Sequence, residues 1–591
     1  MRLSSVTLCL YLLSISVFAQ QKPNIVIILT DDLDAFITPK FFPELVPVVD
    51  SLQKTGINFT NGFTPFSVCC PSRAAMLSGK NAHKTKVLRN MRENGGWPAF
   101  KDDEPTALPA QLIKAGYRTA MLGKYLNRYT RDGNKLPPLP YGWTDGAVMI
   151  DHDRVPYRGQ EYNLHEWSKG AKVNDTLWDS PNRKMQYYGN TADDYSTDVI
   201  TRKTVNFIKD AEADDKQPFF LYVCPTAPHF PLRAAERYEA KAKERWLNTT
   251  VPVFPNSFND YGKYATEAEK DIPLDKPTWL RDTWRKRMRQ EGKGRGFYAL
   301  AYRTIFHKKM PRGVTGFNHG FWYDRMGSMY ALNDLVSETI NALKANGEWN
   351  NTLLIFTSDN GFQFGNHGLY HKFSPYEEAI RVPLIITAGD SLRMKEGVEL
   401  SEWITNLDFF PTILDLAGID VAEDVDGKSM ISLIQQNPET KYNARDYFIL
   451  EYQGPGAVDS KFFGSKTLIK RMASFTSDNP SYNAIRMIME VDEMGTKTEK
   501  IFKYIEWEKE YGMVKFKSKL QNKNPELMAK IEAGNKRILK KKARVEEIET
   551  ELYCITDDPY EMDNLLYYKP EQYKQLAEQM QKKLYLEISK K

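Results

Sequence analysis

The chain alternates short apolar runs with longer segments in which apolar residues recur at helical spacing. The apolar runs are almost uninterrupted, which predicts strands buried on both faces of a parallel sheet. They cover Asn24–Thr30, Phe219–Val223, Thr352–Ser358 and Arg381–Ile386. The helical spacing predicts helices over Ala107–Ala115, Thr197–Ala211 and Tyr323–Ala345. This alternation, from Lys22 to about Gln435, predicts an α/β domain with a large, mixed, mostly parallel sheet flanked by helices.

A second pattern of strands and charged helices begins at Asp446–Tyr452 and runs to the C-terminus. The 591 residues exceed what a single core usually holds. We therefore expect a main domain over residues 20–435 and a smaller C-terminal subdomain over residues 436–591.

The N-terminus has the layout of a secretory signal peptide, which we assign to residues 1–19. A basic start, Met1-Arg2, precedes an apolar run that ends in Val17-Phe18-Ala19, a small-residue cleavage pattern. That run is too short for a membrane span, and no later stretch reaches about 18 uninterrupted apolar residues. We expect no membrane span and a secretory route. The destination would be extracellular or lysosomal in a eukaryote, and periplasmic or secreted in a bacterium.

The cysteine count argues against a disulfide scaffold. Of five cysteines, Cys9 leaves with the signal peptide and Cys69 belongs to the motif described below. The odd remainder of Cys70, Cys224 and Cys554 allows at most one bridge, so the core must hold the fold. Sequons at Asn58, Asn174, Asn248 and Asn350 do not decide between the two secretory routes.

The net charge of +5 is mild, but basic residues are concentrated at Lys276–Arg295 and Lys536–Arg544. The first stretch interleaves its basic residues with Trp279 and Trp284, a composition that suits a sulfated polysaccharide. A solvated charged face is the plainer interpretation of both stretches. Nucleic acid would also be attracted, but the secretory signal argues against that partner.

Polar side chains follow two of the predicted strands at the point where each strand ends. Asp31-Asp32 follows the first apolar run, and Asp359-Asn360 follows the run Thr352–Ser358. If these strands are neighbours, three carboxylates and an amide converge at the carboxyl edge of the sheet, where ligands collect in α/β proteins. Oxygen-only ligands favour Ca²⁺ or Mg²⁺. The alternative is that these residues are helix caps or turn residues.

The run Cys69-Cys70-Pro71-Ser72-Arg73 predicts a helix N-terminus, because proline is favoured in the first helical turn. Backbone N–H groups there favour an anion, and the Arg73 guanidinium offers a planar fork of donors to a tetrahedral oxyanion or a charged neighbour. The plainer alternative is a buried thiol or one half of a disulfide.

This run, followed by Leu77-Ser78-Gly79, resembles the signature of the sulfatases. The resemblance implies that a formylglycine-generating enzyme oxidises Cys69 to formylglycine, whose hydrate attacks the sulfur of a sulfate ester. It also favours Ca²⁺ as the cation. One ion would be held by Asp31, Asp32, Asp359, Asn360 and the residue formed from Cys69.

Three further segments resemble the same family in the same order along the chain. Gly123-Lys124 and Asn366–Lys372 match the segments that carry two sulfate-facing lysines, Lys124 and Lys372, and the second also places His367 near the substrate. Pro228-His229 matches a histidine beside the leaving-group oxygen. A histidine usual after the first lysine is missing, and its role passes to Asn127 or is absent. The form Gly123-Lys124-Tyr125-Leu126-Asn127 is most similar to N-acetylglucosamine-6-sulfatases and extracellular heparan endosulfatases.

The resemblance implies a substrate class and a fold, and two alternative functions stand beside it. The substrate would be a sulfated carbohydrate, such as glucosamine 6-sulfate in a glycosaminoglycan. Glu551–Glu561 resembles the closing segment of the family, which belongs to a smaller sheet packed on the main domain. The rivals are a phosphatase or phosphodiesterase of the same superfamily and a non-catalytic glycan-binding homologue. The Cys69–Arg73 motif and the scarcity of histidines argue against the first, and intact Cys69, Arg73 and both lysines argue against the second.

Overall fold

The structure is a computed structural model. It describes residues 22–130, 135–150, 159–213, 217–247, 275–280, 316–454, 480–507 and 550–590, apart from positions 37, 92, 170, 173–177, 231, 278, 365, 368, 437, 439, 440 and 494. The predicted signal peptide, most of the first basic stretch and all of the second lie outside the described residues.

A ten-stranded mixed sheet forms the centre of the main domain. Its strands are β1 (Asn24–Thr30), β2 (Ile57–Phe59), β4 (Arg118–Gly123), β5 (Asp145–Met149), β6 (Tyr162–Trp167), β9 (Lys184–Tyr188), β10 (Phe219–Cys224), β11 (Thr352–Ser358), β14 (Leu384–Ala388) and β15 (Val398–Leu400). Their order across the sheet is β15-β2-β14-β11-β1-β10-β4-β5-β6-β9. The central strands β11, β1, β10, β4 and β5 are mutually parallel, whereas β14, β6 and β9 are antiparallel to their neighbours. Short strands elsewhere are β3 (Gly62–Phe63), β7 (Ala171–Lys172), β8 (Trp178–Asp179), β12 (Gln363–Phe364), β13 (Tyr370–His371) and β16 (Ile404–Thr405).

Helices cover both faces of this sheet. They are α1 (Phe42–Leu45), α2 (Pro47–Thr55), α3 (Cys69–Ser78), α4 (Ala82–Thr85), α5 (Trp97–Phe100), α6 (Leu108–Lys114), α7 (Ser196–Glu212), α8 (Glu236–Leu247), α9 (Gly316–Ala345), α10 (Glu377–Ile380), α11 (Phe409–Leu416), α12 (Ile431–Ile434), α13 (Leu565–Tyr568) and α14 (Pro570–Ile588). Alternate residues of β1 enter two cores: Val26 and Ile28 pack with α2, α7 and α9, and Ile25, Ile27 and Leu29 pack with α3, α6 and α11. Both faces of the strand are buried, which accounts for its unbroken apolar run from Ile25 to Leu29.

A second sheet of four antiparallel strands packs on the main domain. It contains β17 (Tyr447–Tyr452), β18 (Tyr482–Glu493), β19 (Thr496–Trp507) and β20 (Thr550–Cys554) in that order. One face, which includes Phe448 and Leu450, packs on Phe63 and Tyr376 of the main domain. The other face is covered by α14.

The predicted fold class is confirmed, and so are the predicted helices and strands, which differ at their ends by a few residues. The exceptions are α9, which begins seven residues before the predicted Tyr323, and the segment Arg381–Pro383, which precedes β14 instead of belonging to it. The four described cysteines form no disulfide. Within the described ranges, no helix is long and apolar enough to cross a membrane.

Lys276, at the start of the first basic stretch, is a buried residue and no part of a solvated or ligand-facing surface. Its Nζ donates to Tyr553 Oη at 2.8 Å and to the backbone oxygens of Glu561 and Met562. Trp279 packs against Trp507 with ring centroids 4.7 Å apart. These contacts attach the beginning of the stretch to the C-terminal sheet.

Candidate active site

The parallel pairing of β1 with β11 brings the acidic pairs at their carboxyl ends together. The last residues of these strands are paired, so Asp31 and Asp359 come next to each other. Asp32 donates its backbone N–H to Asp359 Oδ1 at 3.1 Å, and Asn360 Nδ2 donates to Asp32 Oδ1 at 2.7 Å. All four side chains are buried. Asp32 has a φ of 65°, a left-handed conformation that Asp tolerates better than most residues, and the turn it makes returns its carboxylate to the cluster.

Cys69 lies in the same cluster, at the first residue of α3. Its Sγ is 3.6 Å from Asp31 Oδ1, 3.9 Å from Asp32 Oδ1 and 2.7 Å from Lys372 Nζ. Burial, reinforced by Asp359 and opposed by the nearby lysines, raises the pKa of the Cys69 thiol to about 12. The next residue, Cys70, points into the core, and its backbone N–H donates to Asn90 Oδ1 at 2.8 Å.

Two lysines contact different carboxylates of the cluster. Lys124 Nζ lies 2.7 Å from Asp31 Oδ2, and Lys372 Nζ contacts Asp32 Oδ1 and lies 3.3 Å from Asn360 Oδ1. Gly123 lets the chain turn into Lys124, because its φ is 106° and a Cβ there would lie 2.1 Å from the Cys224 backbone oxygen. The lysines lie where they can meet an anionic group beside Cys69.

Arg73 holds the cluster from within α3. Its Nε donates to Asp359 Oδ2 at 2.8 Å and its Nη1 donates to the Lys124 backbone oxygen at 2.6 Å. The side chain is 1 % exposed. Arg73 therefore joins the helix that carries Cys69 to the end of β11 and to the Lys124 loop.

His229 lies at the more open side of the cluster, with 22 % of its side chain exposed and its Nε2 3.5 Å from Asp32 Oδ2. Its Nδ1 contacts the Phe230 backbone oxygen. Burial lowers the pKa of His229 to about 3, with the Lys372 and Lys124 charges adding to the effect and Asp32 opposing it. The imidazole is therefore neutral at pH 7 in this arrangement.

Three carboxylates of the cluster, those of Asp31, Asp32 and Asp359, are donors of the kind that a hard divalent cation prefers. Ligand atoms of Asp31, Asp32, Cys69 and His229 all lie within 4.8 Å of one another, and the Asp359 carboxylate adjoins them. Burial raises the pKa of Asp31 to about 7; Lys124 opposes this shift, and the Asp359 and Asp32 charges add to it. A cation bound by these oxygens would relieve that repulsion between buried carboxylates.

Two predicted substrate residues lie outside this cluster. Asn127 is half-buried, and its backbone oxygen accepts from Trp97 N–H at 2.6 Å. His367 is fully buried, stacks on Tyr376 with centroids 3.9 Å apart, and has its Nε2 3.6 Å from Glu378 Oε2. The structure groups His367 with acidic residues near the C-terminal sheet, so its contact with substrate stays a prediction.

Sequence reasoning missed Arg325 on α9. Its Nη2 contacts the Asp32 backbone oxygen and Asp34 Oδ1, and its Nη1 donates to the Pro228 backbone oxygen at 3.2 Å. Arg325 is fully buried and ties the end of β1 to the segment that carries His229. The available signal was the charged pair Asp324-Arg325 between apolar residues of a predicted helix, because a buried charge is costly unless it has a partner.

The buried pair of Arg73 and Asp359 gives a stability prediction. Arg73→Met should lower the free energy of unfolding by about 3–5 kcal/mol, because it leaves the Asp359 carboxylate buried without its closest cation. Lys54→Met is the control, since Lys54 pairs with Asp50 while its side chain is 69 % exposed, and it should cost less than about 1 kcal/mol. Urea unfolding of both variants measures the difference. Equal losses would contradict a special role for the buried pair.

Buried carboxylates, a helix N-terminus and the cationic side chains of Lys124, Lys372 and Arg73 meet at the carboxyl edge of this α/β sheet and form a site that suits an anionic ester. The family model described as Sulfatase matches residues 23–419, and one described as N-sulphoglucosamine sulphohydrolase, C-terminal, matches residues 365–500. The chain therefore belongs to the sulfatase family, which confirms the predicted family and enzyme class.

Named relatives and solved structures extend this similarity. The chain is 27 % identical over 503 residues to an N-acetylglucosamine-6-O-sulfatase of Bacteroides thetaiotaomicron, covering 80 % of this chain and 82 % of the relative. It is 29 % identical over 456 residues to the human N-acetylglucosamine-6-sulfatase, covering 74 % and 68 %. A protein solved in complex with its substrate D-glucosamine-2-N,6-O-disulfate superposes with a TM-score of 0.62 at 22 % identity, covering 97 % of this chain and 100 % of that one. The last similarity concerns the fold alone.

Proposed function

We propose that this sulfatase removes sulfate from a sulfated carbohydrate, with glucosamine 6-sulfate in a glycosaminoglycan as the best candidate. The main support for sulfate-ester hydrolysis is the position of Cys69, whose Sγ lies between the carboxylates at the strand ends and the Lys372 ammonium. The sugar is supported by the Gly123–Asn127 segment and by the names of two relatives.

We further propose that a formylglycine-generating enzyme converts Cys69 to formylglycine. One Ca²⁺ would be held by Asp31, Asp32, Asp359, Asn360 and the converted residue. When bound, the two groups would supply a Lewis acid and a carbonyl whose hydrate is a nucleophile. The donor set supports calcium, since its carboxylate and amide oxygens are those that a hard cation prefers.

The chain's own residues would bind the ester and stabilise its charge. Lys124 and Lys372 would face the nonbridging sulfate oxygens, and each preorganised cation of this kind contributes on the order of 10²–10³ in rate. Arg73 keeps Asp359 and the Lys124 loop in place. His229 would give a proton from Nε2 to the departing alcohol oxygen, which requires that the bound anionic ester first raise the pKa of the imidazole, since Nδ1 already faces the Phe230 backbone oxygen.

Binding of the sugar is proposed for Asn127. No nucleic-acid partner is proposed, because the N-terminal pattern indicates a secretory route. The described part of the chain offers no membrane-spanning helix. We also propose a secretory route, on the basis of the N-terminal pattern. The boundary between the main domain and the C-terminal subdomain is proposed to lie near residue 435. A non-catalytic glycan-binding protein would have no need of two buried lysines facing carboxylates at one sulfur.

A panel of sulfated sugars of known position tests the substrate. We expect desulfation of glucosamine 6-sulfate at kcat/KM at least about tenfold above the 2-O- and 3-O-sulfated isomers, because a pocket that binds specific hydroxyls discriminates between isomers. Ion chromatography of released sulfate is the measurement. Activity confined to aryl or choline sulfates would overturn the carbohydrate, and preferred cleavage of a phosphodiester would favour the phosphodiesterase reading.

A further inference from the structure

The segment that carries Lys372 has an unusual backbone. Lys372 lies between His371, with a φ of 76°, and Phe373, with a φ of 75°. Non-glycine residues rarely adopt this left-handed region, and they keep it only when the surrounding structure holds them there. The position of the Lys372 ammonium beside Cys69 therefore depends on whatever fixes the neighbouring residues.

Lys503, on β19 of the C-terminal sheet, provides a buried anchor for that segment. Its Nζ donates to the Pro375 backbone oxygen at 2.9 Å and lies 2.7 Å from Glu377 Oε1 and 2.8 Å from Glu561 Oε1. Lys503 is fully buried. One ammonium thus binds the chain three residues after Lys372 to two carboxylates, and hydrogen bonds to charged groups are the stronger ones in a protein interior.

Other contacts strengthen the same attachment. Tyr376 Oη donates to the Glu551 carboxylate at 3.1 Å, and Glu377 N–H donates to Glu561 Oε2 at 2.8 Å. Arg486 Nε lies 3.1 Å from Glu377 Oε1. Strands β18, β19 and β20 therefore each contribute a side chain to the segment after Lys372.

The same sheet also reaches the chain just before Cys69. Phe373 N–H donates to the Ser67 backbone oxygen at 3.1 Å, and Ser67 Oγ is hydrogen-bonded to Tyr482 Oη at 2.7 Å. The C-terminal sheet thus contacts the approach to Cys69 and the approach to Lys372 together.

We propose that Lys503 is a positioning residue for sulfate-ester hydrolysis, which acts by holding the Lys372 segment against Cys69. The inference rests on the proposed role of Lys372 at the sulfate. It assigns the C-terminal sheet a part in the reaction although Lys503 itself does not reach the Cys69 cluster: its described partners are Pro375, Glu377 and Glu561.

A double-mutant cycle tests this coupling. Lys503→Met should lower kcat/KM for a small aryl sulfate by about 10–100-fold, since a displacement of about 1 Å in a binding group has an effect of that size. In a Lys372→Met background the same change should cost less than about twofold, because the group that it positions is already gone. Lys503→Arg should recover most of the activity.

Lys276→Met is the matched control. Lys276 is also fully buried and also contacts the C-terminal sheet, through Tyr553, but it has no described bond to residues 373–377. It should lower the melting temperature as Lys503→Met does while leaving kcat/KM within about twofold. Should Lys503→Met fail to fold, Tyr376→Phe in both backgrounds repeats the cycle with an isosteric change.

The outcomes separate two kinds of failure. An equal loss from Lys503→Met in both backgrounds, no loss in the unmodified background, or the same loss in Lys276→Met would overturn the positioning role alone. Full activity in Lys372→Met by itself would instead refute the proposed role of Lys372, and the positioning role with it.

Discussion

Replacing Cys69 by alanine is expected to abolish sulfate-ester hydrolysis, with kcat/KM falling by more than about 10⁴-fold while the fold persists. The reason is that the group at this position is the proposed nucleophile, and its Sγ lies 2.7 Å from Lys372 Nζ and 3.6 Å from Asp31 Oδ1. Losing the nucleophile leaves only charge stabilisation by the surrounding side chains. Steady-state hydrolysis of an aryl sulfate and a thermal melt measure the two halves of the expectation.

Cys70→Ala is the matched control, because Cys70 is the adjacent thiol, equally buried, and packs in the core. It should retain activity within about twofold and lose some stability from the small cavity it leaves. Mass spectrometry of the Cys69 peptide, from protein made together with the modifying enzyme, should show the aldehyde at residue 69 and an unmodified thiol at residue 70. Quantitative alkylation of the Cys69 thiol, or substantial turnover by Cys69→Ala, would refute the assignment.

The second large effect is expected from Asp31→Asn, which should reduce calcium binding and lower turnover by about 10²–10³-fold. Asp31 is completely buried, and asparagine has nearly the same size. The substitution replaces one carboxylate ligand of the proposed ion with a neutral amide. Calorimetric titration of the metal-free protein with Ca²⁺ follows binding directly, so the metal and the reaction are measured separately.

Asp145→Asn provides the comparison, since Asp145 is a buried carboxylate that pairs with Arg118 on another part of the sheet. It should bind calcium and turn over substrate like the unmodified protein, within about twofold. Stoichiometric calcium and full turnover in Asp31→Asn would contradict the metal site. Activity that depends on zinc alone would favour the phosphatase alternative.

The sequence by itself determined the local structure around the site and much of its chemistry. The runs Asn24–Thr30 and Thr352–Ser358 have unbroken apolar stretches, Ile25–Leu29 and Leu353–Phe356, as expected inside a sheet covered on both faces. The acidic residues after them, and the Cys69–Arg73 run at a helix start, could be identified because such signals are local in the chain.

The sequence could not determine which distant segments meet. Cys69 and Lys372 are 303 positions apart. Their contact depends on the order of the strands and on the left-handed backbone of His371 and Phe373, which the sequence pattern does not predict. The stacking of His367 on Tyr376 also comes from packing between distant segments, and the predicted place of His367 near the substrate stays a prediction.

Only the tertiary structure showed why Arg325 and Lys503 matter. Each is one of several charged residues in its helix or strand, so the sequence does not distinguish it from the solvated ones, yet each is fully buried with partners from other segments. The spacing of apolar residues shows which face of a helix or strand is buried, because the residues on that face recur at a fixed interval along the chain. The partner of a buried charge is set by long-range packing, which brings together residues with no relation in the sequence.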